Sequence, residues 1–174
     1  MEKAELTTIL DEHRKWLEDD GTGKRADLRY ANLSYANLSY ADLRYATLRY
    51  AEGVNKHLVT PLLMLLEQPG LIRAYKLVTE KGKGPFYPSD FTYDVGFSYV
   101  ESDPNCDEYS DCGAGINLAT LPWCIQNWIK GHRILIAEFT AKDIAAIPIA
   151  TNDKFRVKRC EIVGEKDLKG LGLI

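Results

Sequence analysis

Cysteine is scarce in this chain, four among 174 residues, and no two of Cys106, Cys112, Cys124 and Cys160 stand in the C-x2-C spacing of structural zinc sites. That spacing excludes a zinc ribbon, and reduced, packed thiols are expected. Histidine is scarcer still: His13, His57 and His132 fall on a helix, a junction and a strand entrance, with no motif tying any of them to a nucleophile. Cys124 and His132 can be drawn as nucleophile and base, but Cys124 lies on an apolar helical stripe, where thiols are inert. No apolar run approaches the roughly 18 residues that cross a bilayer, and the opening MEKAELTTIL has acids where a secretory signal needs bases. A cytoplasmic location and no membrane partner are expected. A net charge of -3 gives no reason for nucleic-acid affinity. There is no Walker loop, because Gly82-Lys83-Gly84-Pro85 lacks the following helix that would aim its amides at a phosphate. The acidic loop around Cys106 and Cys112, with Asp103, Asp107, Glu108 and Asp111, lacks calcium-loop spacing, so no metal is expected.

What is present is ordinary globular material, 45% hydrophobic and 27% charged, in a length that accommodates one domain or two small ones. Glu2 to Leu17 places Leu6, Ile9, Leu10, Trp16 and Leu17 on one stripe at helical spacing. The helix ends at Asp19-Asp20-Gly21-Thr22-Gly23, where glycine can take the left-handed conformation. A period of five follows: Ala26-Asp27-Leu28-Arg29-Tyr30, Ala31-Asn32-Leu33-Ser34-Tyr35, Ala36-Asn37-Leu38-Ser39-Tyr40, Ala41-Asp42-Leu43-Arg44-Tyr45 and Ala46-Thr47-Leu48-Arg49-Tyr50. A helix would spread these leucines around its circumference, and a strand would throw them to alternate faces. Neither buries the set.

The pattern resembles the pentapeptide-repeat family. That resemblance implies a right-handed quadrilateral β-helix, each unit one side of a square coil, with a repeat core of Ala26, Leu28, Ala31, Leu33, Ala36, Leu38, Ala41, Leu43, Ala46 and Leu48. It further implies four units per turn, so that Leu28 lies beneath Leu48 and Tyr30 beneath Tyr50. So short a coil needs caps, since each leucine left facing water forfeits roughly 1.5 to 3 kcal/mol. The N-terminal helix and the apolar segment Leu58 to Leu66 are the expected plugs. The recurring tyrosines turn around four corners, which favours packing over a base-stacking platform. Arg25, Arg29, Arg44 and Arg49 outnumber Asp27 and Asp42, making the segment a poor DNA mimic. Four scattered arginines read as a solvated face, so nucleic-acid binding is not expected.

Beyond the repeats, Thr60-Pro61-Leu62 reads as an N-cap with proline at the first helical position, ending at Gln68-Pro69-Gly70. Ile72 to Val78, Thr92 to Val100 around Gly96, Arg133 to Phe139 and Lys154 to Val163 read as strands. Gly82 to Pro88 reads as a turn-rich loop, with Gly82-Lys83-Gly84-Pro85 as a hairpin loop. Thr120-Leu121-Pro122 opens a helix through Ile129, and Thr140-Ala141-Lys142-Asp143 a helical turn. The expected division is residues 1–57 for capping helix and repeats, 58–70 for a junction helix and 71–174 for an α+β domain. Its sheet is expected to be mixed or antiparallel, giving a fold class of α+β with a short β-helix segment.

The phrases Gly113 to Thr120, Phe139 to Ile144 and Val163 to Leu168 resemble those of bacteriophage and prophage proteins that join pentapeptide repeats to an uncharacterised C-terminal domain. The resemblance supplies context and not mechanism, and the expected protein is a phage-type accessory protein that binds a host or viral protein through the exposed loops of the C-terminal domain on a rigid capped coil, without a cofactor. The order of elements in the second domain is also loosely similar to ADP-ribosyltransferase-like folds. On that reading NAD is the substrate, Arg73 or Tyr75 sits on the first strand, Asn117 and Thr120 lie near the nicotinamide pocket, and Glu138 or Glu161 stabilises the cationic transition state. Bland roles compete: Thr120 as a helix N-cap, Glu138 as an outward strand residue, Arg73 as a surface charge. Self-association into a homo-oligomer through an uncovered edge is the third alternative.

Overall fold

Leu71–Val78 (β1) and Arg133–Thr140 (β4) pair along their whole length, Leu71 opposite Thr140 through Val78 opposite Arg133. They form the centre of the computed structural model, which describes residues 1–19, 21–38, 41–87, 89–151 and 153–174. The expectations on Asp20, Ser39, Tyr40 and Pro88 lie outside the described residues. The remaining strands are Ser98–Val100 (β2), Ile116–Ala119 (β3), Ile144–Ala146 (β5), Lys154–Val157 (β6) and Arg159–Glu165 (β7). They join one sheet in the order β2-β7-β4-β1-β3-β6-β5, with every pairing antiparallel.

Alternation along each strand divides the apolar residues between two faces. Ile72, Ala74 and Val78 of β1 join Leu135, Ala137 and Phe139 of β4 on one face, under Leu62, Tyr93 and Ile147. Leu77 and Ile134, in the opposite phase, pack under Trp123 and Cys124 of helix α3 (Leu121–Gln126) and the C-terminal Leu168, Leu171 and Leu173. Some elements are shorter than their patterns predict: α3 stops at Gln126, Thr92 to Val100 contributes only β2, and Lys154 to Val163 is interrupted at Lys158. Pro61–Glu67 is a 3-10 helix, with the Thr60 hydroxyl accepting from Leu62 N.

The repeat segment requires a correction. The expected quadrilateral β-helix is not formed: among the described residues the repeats contain no strand, and the chain's sheet is a single open antiparallel one. Two isolated parallel bridges, Asp27 with Thr47 and Asn32 with Glu52, are the repeats' ladder contacts among the described residues. The physical reason is length. A bridge here joins residues twenty apart, so five units give most positions no second layer with which to pair. The α+β class with a β-helix segment is therefore replaced by one antiparallel sheet with few helices.

The leucines are nevertheless buried. Leu28, Leu33, Leu38, Leu43 and Leu48 form one cluster with Ala26, Ala46 and Leu6 of helix α1 (Lys3–Leu17). Apart from α1, apolar closure comes only in part from the expected segment Leu58 to Leu66, which supplies Val59. Leu62, Leu63 and Leu65 pack on the sheet core, whereas Val59, Ile149 and Ala150 pack on the leucines. Ile149 and Ala150 follow β5, so the sheet region itself supplies part of the cover.

Candidate functional site

Three of the repeat turns are each set by a local side-chain bond. Asp27 Oδ1 accepts from Arg29 N at 3.2 Å, Asn32 Oδ1 from Ser34 N at 2.9 Å, and Asp42 Oδ1 from Arg44 N at 3.1 Å. An Asp or Asn two residues before the turn amide is what this bond demands. The tyrosine closing the unit then takes a left-handed conformation, with φ of 59° at Tyr30, 64° at Tyr35, 65° at Tyr45 and 60° at Tyr50. Bulky residues rarely adopt it, so the corner is held by its surroundings. Residues twenty apart stack, the Tyr30 and Tyr50 rings at 5.1 Å.

Residues 24–52 match the family model described as pentapeptide repeats (8 copies). The segment is a run of pentapeptide repeats. No curated protein and no solved structure matches the chain. Among the described residues the arginines within the repeat units are paired: Arg29 is clamped on Asp27 and Arg44 on Asp42, both at 2.5 Å, and Arg49 reaches Asp107 at 3.4 Å.

His13 ties α1 to the repeats. It is fully buried, its Nδ1 accepting from Ala26 N at 3.2 Å and its Nε2 placed 3.0 Å from the Arg44 carbonyl. These partners select the neutral tautomer with the proton on Nε2. Burial holds the imidazole pKa below its ordinary value. Sequence reading left His13 without a role, because its partners are backbone groups 13 and 31 residues away.

A second missed residue is Arg156, on β6 between Phe155 and Val157, whose side chains enter the sheet core. Its own side chain, fully buried, donates to the carbonyls of Asn105 at 2.8 Å, Ser110 at 2.7 Å and Asp107 at 2.7 Å. Five donors in a rigid fork suit three converging acceptors. The acidic loop thus ordered meets the repeats: Lys56 pairs with Glu108 at 2.5 Å, and Tyr109 lies 6.4 Å from the Tyr50 ring. Its acids act as fasteners between the two regions. No group of three or more potential metal ligands occurs among the described residues.

The residues drawn from the transferase resemblance are divided. Arg73, Glu138 and Glu161 form one row across β1, β4 and β7, Arg73 bonding Glu138 at 2.6 Å on the sheet face. Glu138 and Glu161 line a recess with Leu71, Asp143 and Arg159. Tyr75 and Asn117 line a different cavity. Thr120 caps α3, its hydroxyl accepting from Trp123 N. The carboxylates and the polar groups assigned to a nicotinamide pocket do not converge on one cleft.

The cavity containing Tyr75 and Asn117 measures about 40 Å³ and is lined by residues of β1 and β3, which share one registered pair. Lys76 and Lys154 line it with Cys112, Trp123 and the loop residues Gly84, Phe86 and Tyr87. Lys76 Nζ donates to Asn117 O at 2.9 Å and stands 4.6 Å from the Tyr93 ring centre. Burial lowers its pKa to about 8. Lys154 Nζ lies 3.0 Å from Cys112 Sγ and 5.4 Å from the Trp123 ring centre. The other thiols, Cys124 and Cys160, are buried, which pushes each up to about 12 and leaves them inert.

Proposed function

We propose that this protein is an accessory module that works by binding another protein, of host or viral origin, in the cytoplasm of a bacteriophage-infected cell. Pentapeptide repeats often serve as protein-interaction modules, and the phrases resembling bacteriophage proteins supply the setting. The observation that carries the reading is the uncovered end of the sheet. β2 pairs with β7 and has no strand on its outer side among the described residues, and it ends in exposed Val100 and is preceded by exposed Phe97, 62% and 60% accessible. An extended segment of a partner can continue the sheet there, its backbone supplying affinity and the two side chains specificity. On this reading the repeats, fastened through the Arg156-ordered loop, stiffen the platform.

The test is affinity capture from infected cells with the wild-type chain and a Phe97→Asp, Val100→Asp variant of matched thermal stability. A partner retained by the wild type, reproduced by the purified partner and lost with the variant, is the expected result. Equal capture by both chains overturns the edge assignment. Background proteins alone, together with release of nicotinamide from NAD, replace the binding reading with the transferase. Sedimentation of the free chain separates self-association, which would appear as a concentration-dependent mass.

A further inference from the structure

Cys112 and Lys154, 42 residues apart in the chain, meet through their side chains, with Lys154 Nζ donating to Cys112 Sγ at 3.0 Å. The backbone holds each of them in place. Ser110 Oγ donates to Cys112 O at 2.7 Å, and the flanking carbonyls of Ser110 and Gly113 accept from Arg156 Nη1 at 2.7 Å and Asn117 Nδ2 at 3.1 Å. Lys154 opens β6, where it pairs with Ala119 of β3 and its N–H donates to Thr151 Oγ1 at 2.9 Å. A loop and a strand, each fixed by its own bonds, thus bring a thiol and an amine together.

Reactive thiols occupy partly exposed, electropositive surroundings, whereas thiols buried among apolar groups do not react. Cys124 and Cys160 are of the buried kind, and Cys106 is exposed with its Sγ on the Pro104 carbonyl at 3.4 Å. Cys112 is half-buried, and among the described residues it is the one thiol that accepts a hydrogen bond from an amine. Both members of the pair line the cavity of about 40 Å³, which exceeds what a single water needs and so accommodates a small hydroperoxide.

We propose that Cys112 and Lys154 are a redox modification site, at which a hydroperoxide drives a reversible S–N cross-link between the thiol and the amine. In the first step sulfur attacks a peroxide oxygen and the O–O bond breaks, leaving the Cys112 sulfenic acid and water or an alcohol; sulfur loses two electrons and the peroxide gains them. In the second, the ammonium gives one proton to solvent and the Nζ lone pair attacks Sγ. The S–O bond breaks, and the hydroxyl leaves as water with a second Nζ proton. Sulfenic acids condense with backbone nitrogen in the same manner, and the flexible lysine stem closes the remaining gap. A thiol reductant reverses the bond by attacking sulfur and freeing the amine. The cross-link ties the loop that carries Glu108 and Tyr109 to the repeats covalently to β6. It is separate from the β2 edge and independent of the protein-binding reading.

The reduced full-length protein, treated with hydrogen peroxide and digested with trypsin, is expected to yield a peptide pair joined through Cys112 and Lys154. That pair is uncleaved at Lys154, lighter by two hydrogen atoms than its separate halves, and released by dithiothreitol. Cys106→Ser is expected to retain it, which distinguishes it from a Cys106 to Cys112 disulfide with the same mass loss. Lys154→Arg keeps a cation but offers no nucleophilic amine, and its Cys112 is expected to proceed to the sulfinic acid. Closing a loop of 42 residues is expected to raise Tm by about 5 °C or more, reversibly. An unmodified protein, a disulfide alone, oxidised Cys112 with no bond to Lys154, or equal formation of sulfinic acid in the wild type and Lys154→Arg would overturn the proposal.

Discussion

Replacing Arg156 by methionine keeps an unbranched side chain of similar reach and removes all three hydrogen bonds to the 105–110 loop. Hydrogen bonds from a charged donor contribute about 1.5 to 3 kcal/mol each, but the loop is partly exposed and its freed carbonyls can turn to water. The guanidinium also leaves a site where burial already lowers its pKa, so the lost bonds are offset by relief of a desolvation cost. The net loss is therefore placed at about 3 to 5 kcal/mol, below the roughly 4.5 to 9 kcal/mol of three such bonds without offset. For a chain of this size that is a drop of about 6 to 20 °C in Tm. Differential scanning calorimetry measures it, and the reaction rate of Cys112 with a disulfide reagent, expected to rise as the loop loosens, localises it. Arg156→Lys should recover little, because one ammonium cannot span three carbonyls in different directions. A methionine variant that melts within about 2 °C of wild type, with unchanged Cys112 reactivity, would refute the assignment of Arg156 as the loop's anchor.

The His13 pKa is lowered by desolvation, so on acidification the unfolded chain takes up the proton first. Its contribution to stability is complete above the unfolded value near 6.5 and declines as pH falls, by at most about 1.4 kcal/mol per pH unit, until the folded pKa is passed. Urea unfolding between pH 7.5 and 5, above the carboxylate range, should show this decline in the wild type and a flatter profile in His13→Gln; parallel profiles would exclude His13 as the source. Leu33→Ala removes a fully buried side chain from the repeat cluster and should cost about 2 to 5 kcal/mol in the same assay, whereas a loss below 1 would mean that the cluster collapses around the gap. At Gly23 an added Cβ would sit 2.2 Å from Trp16 N, while at Gly21 nothing lies within 4 Å and only the positive φ of 75° resists substitution. Gly23→Ala should therefore lower the urea midpoint well beyond Gly21→Ala, whose cost is about 1 kcal/mol; equal midpoints would show that α1 does not pack closely on the chain entering the repeats.

Period five and a small menu of residue types made the repeats legible without coordinates, because every unit carries its own leucine and four of the five carry an Asp or Asn one residue before it. Strands β1 and β4 were legible for a similar reason: each gathers its apolar residues in one short run, Ile134 to Ala137 in β4. Distant partners were not. Whether the repeats would extend into a β-helix depended on having a second layer, and so few units deny it to most positions. What closes the leucines depended on Ile149 and Ala150, about a hundred residues downstream. Arg156 reads as an ordinary strand charge until the loop at 105–110 wraps its guanidinium, and His13 reads as a helix surface residue until Ala26 N and Arg44 O meet its ring. Tyr75 and Asn117 were singled out for another chemistry, and the cavity they share with Lys76, Lys154 and Trp123 draws its lining from segments remote in the sequence. Local bonds and short-period patterning are properties of the chain itself, so the sequence determined the repeat turns and the principal strands. Burial, pKa and the convergence of donors depend on which remote groups exclude water from one another, so only the tertiary structure decided the anchors and the cavity.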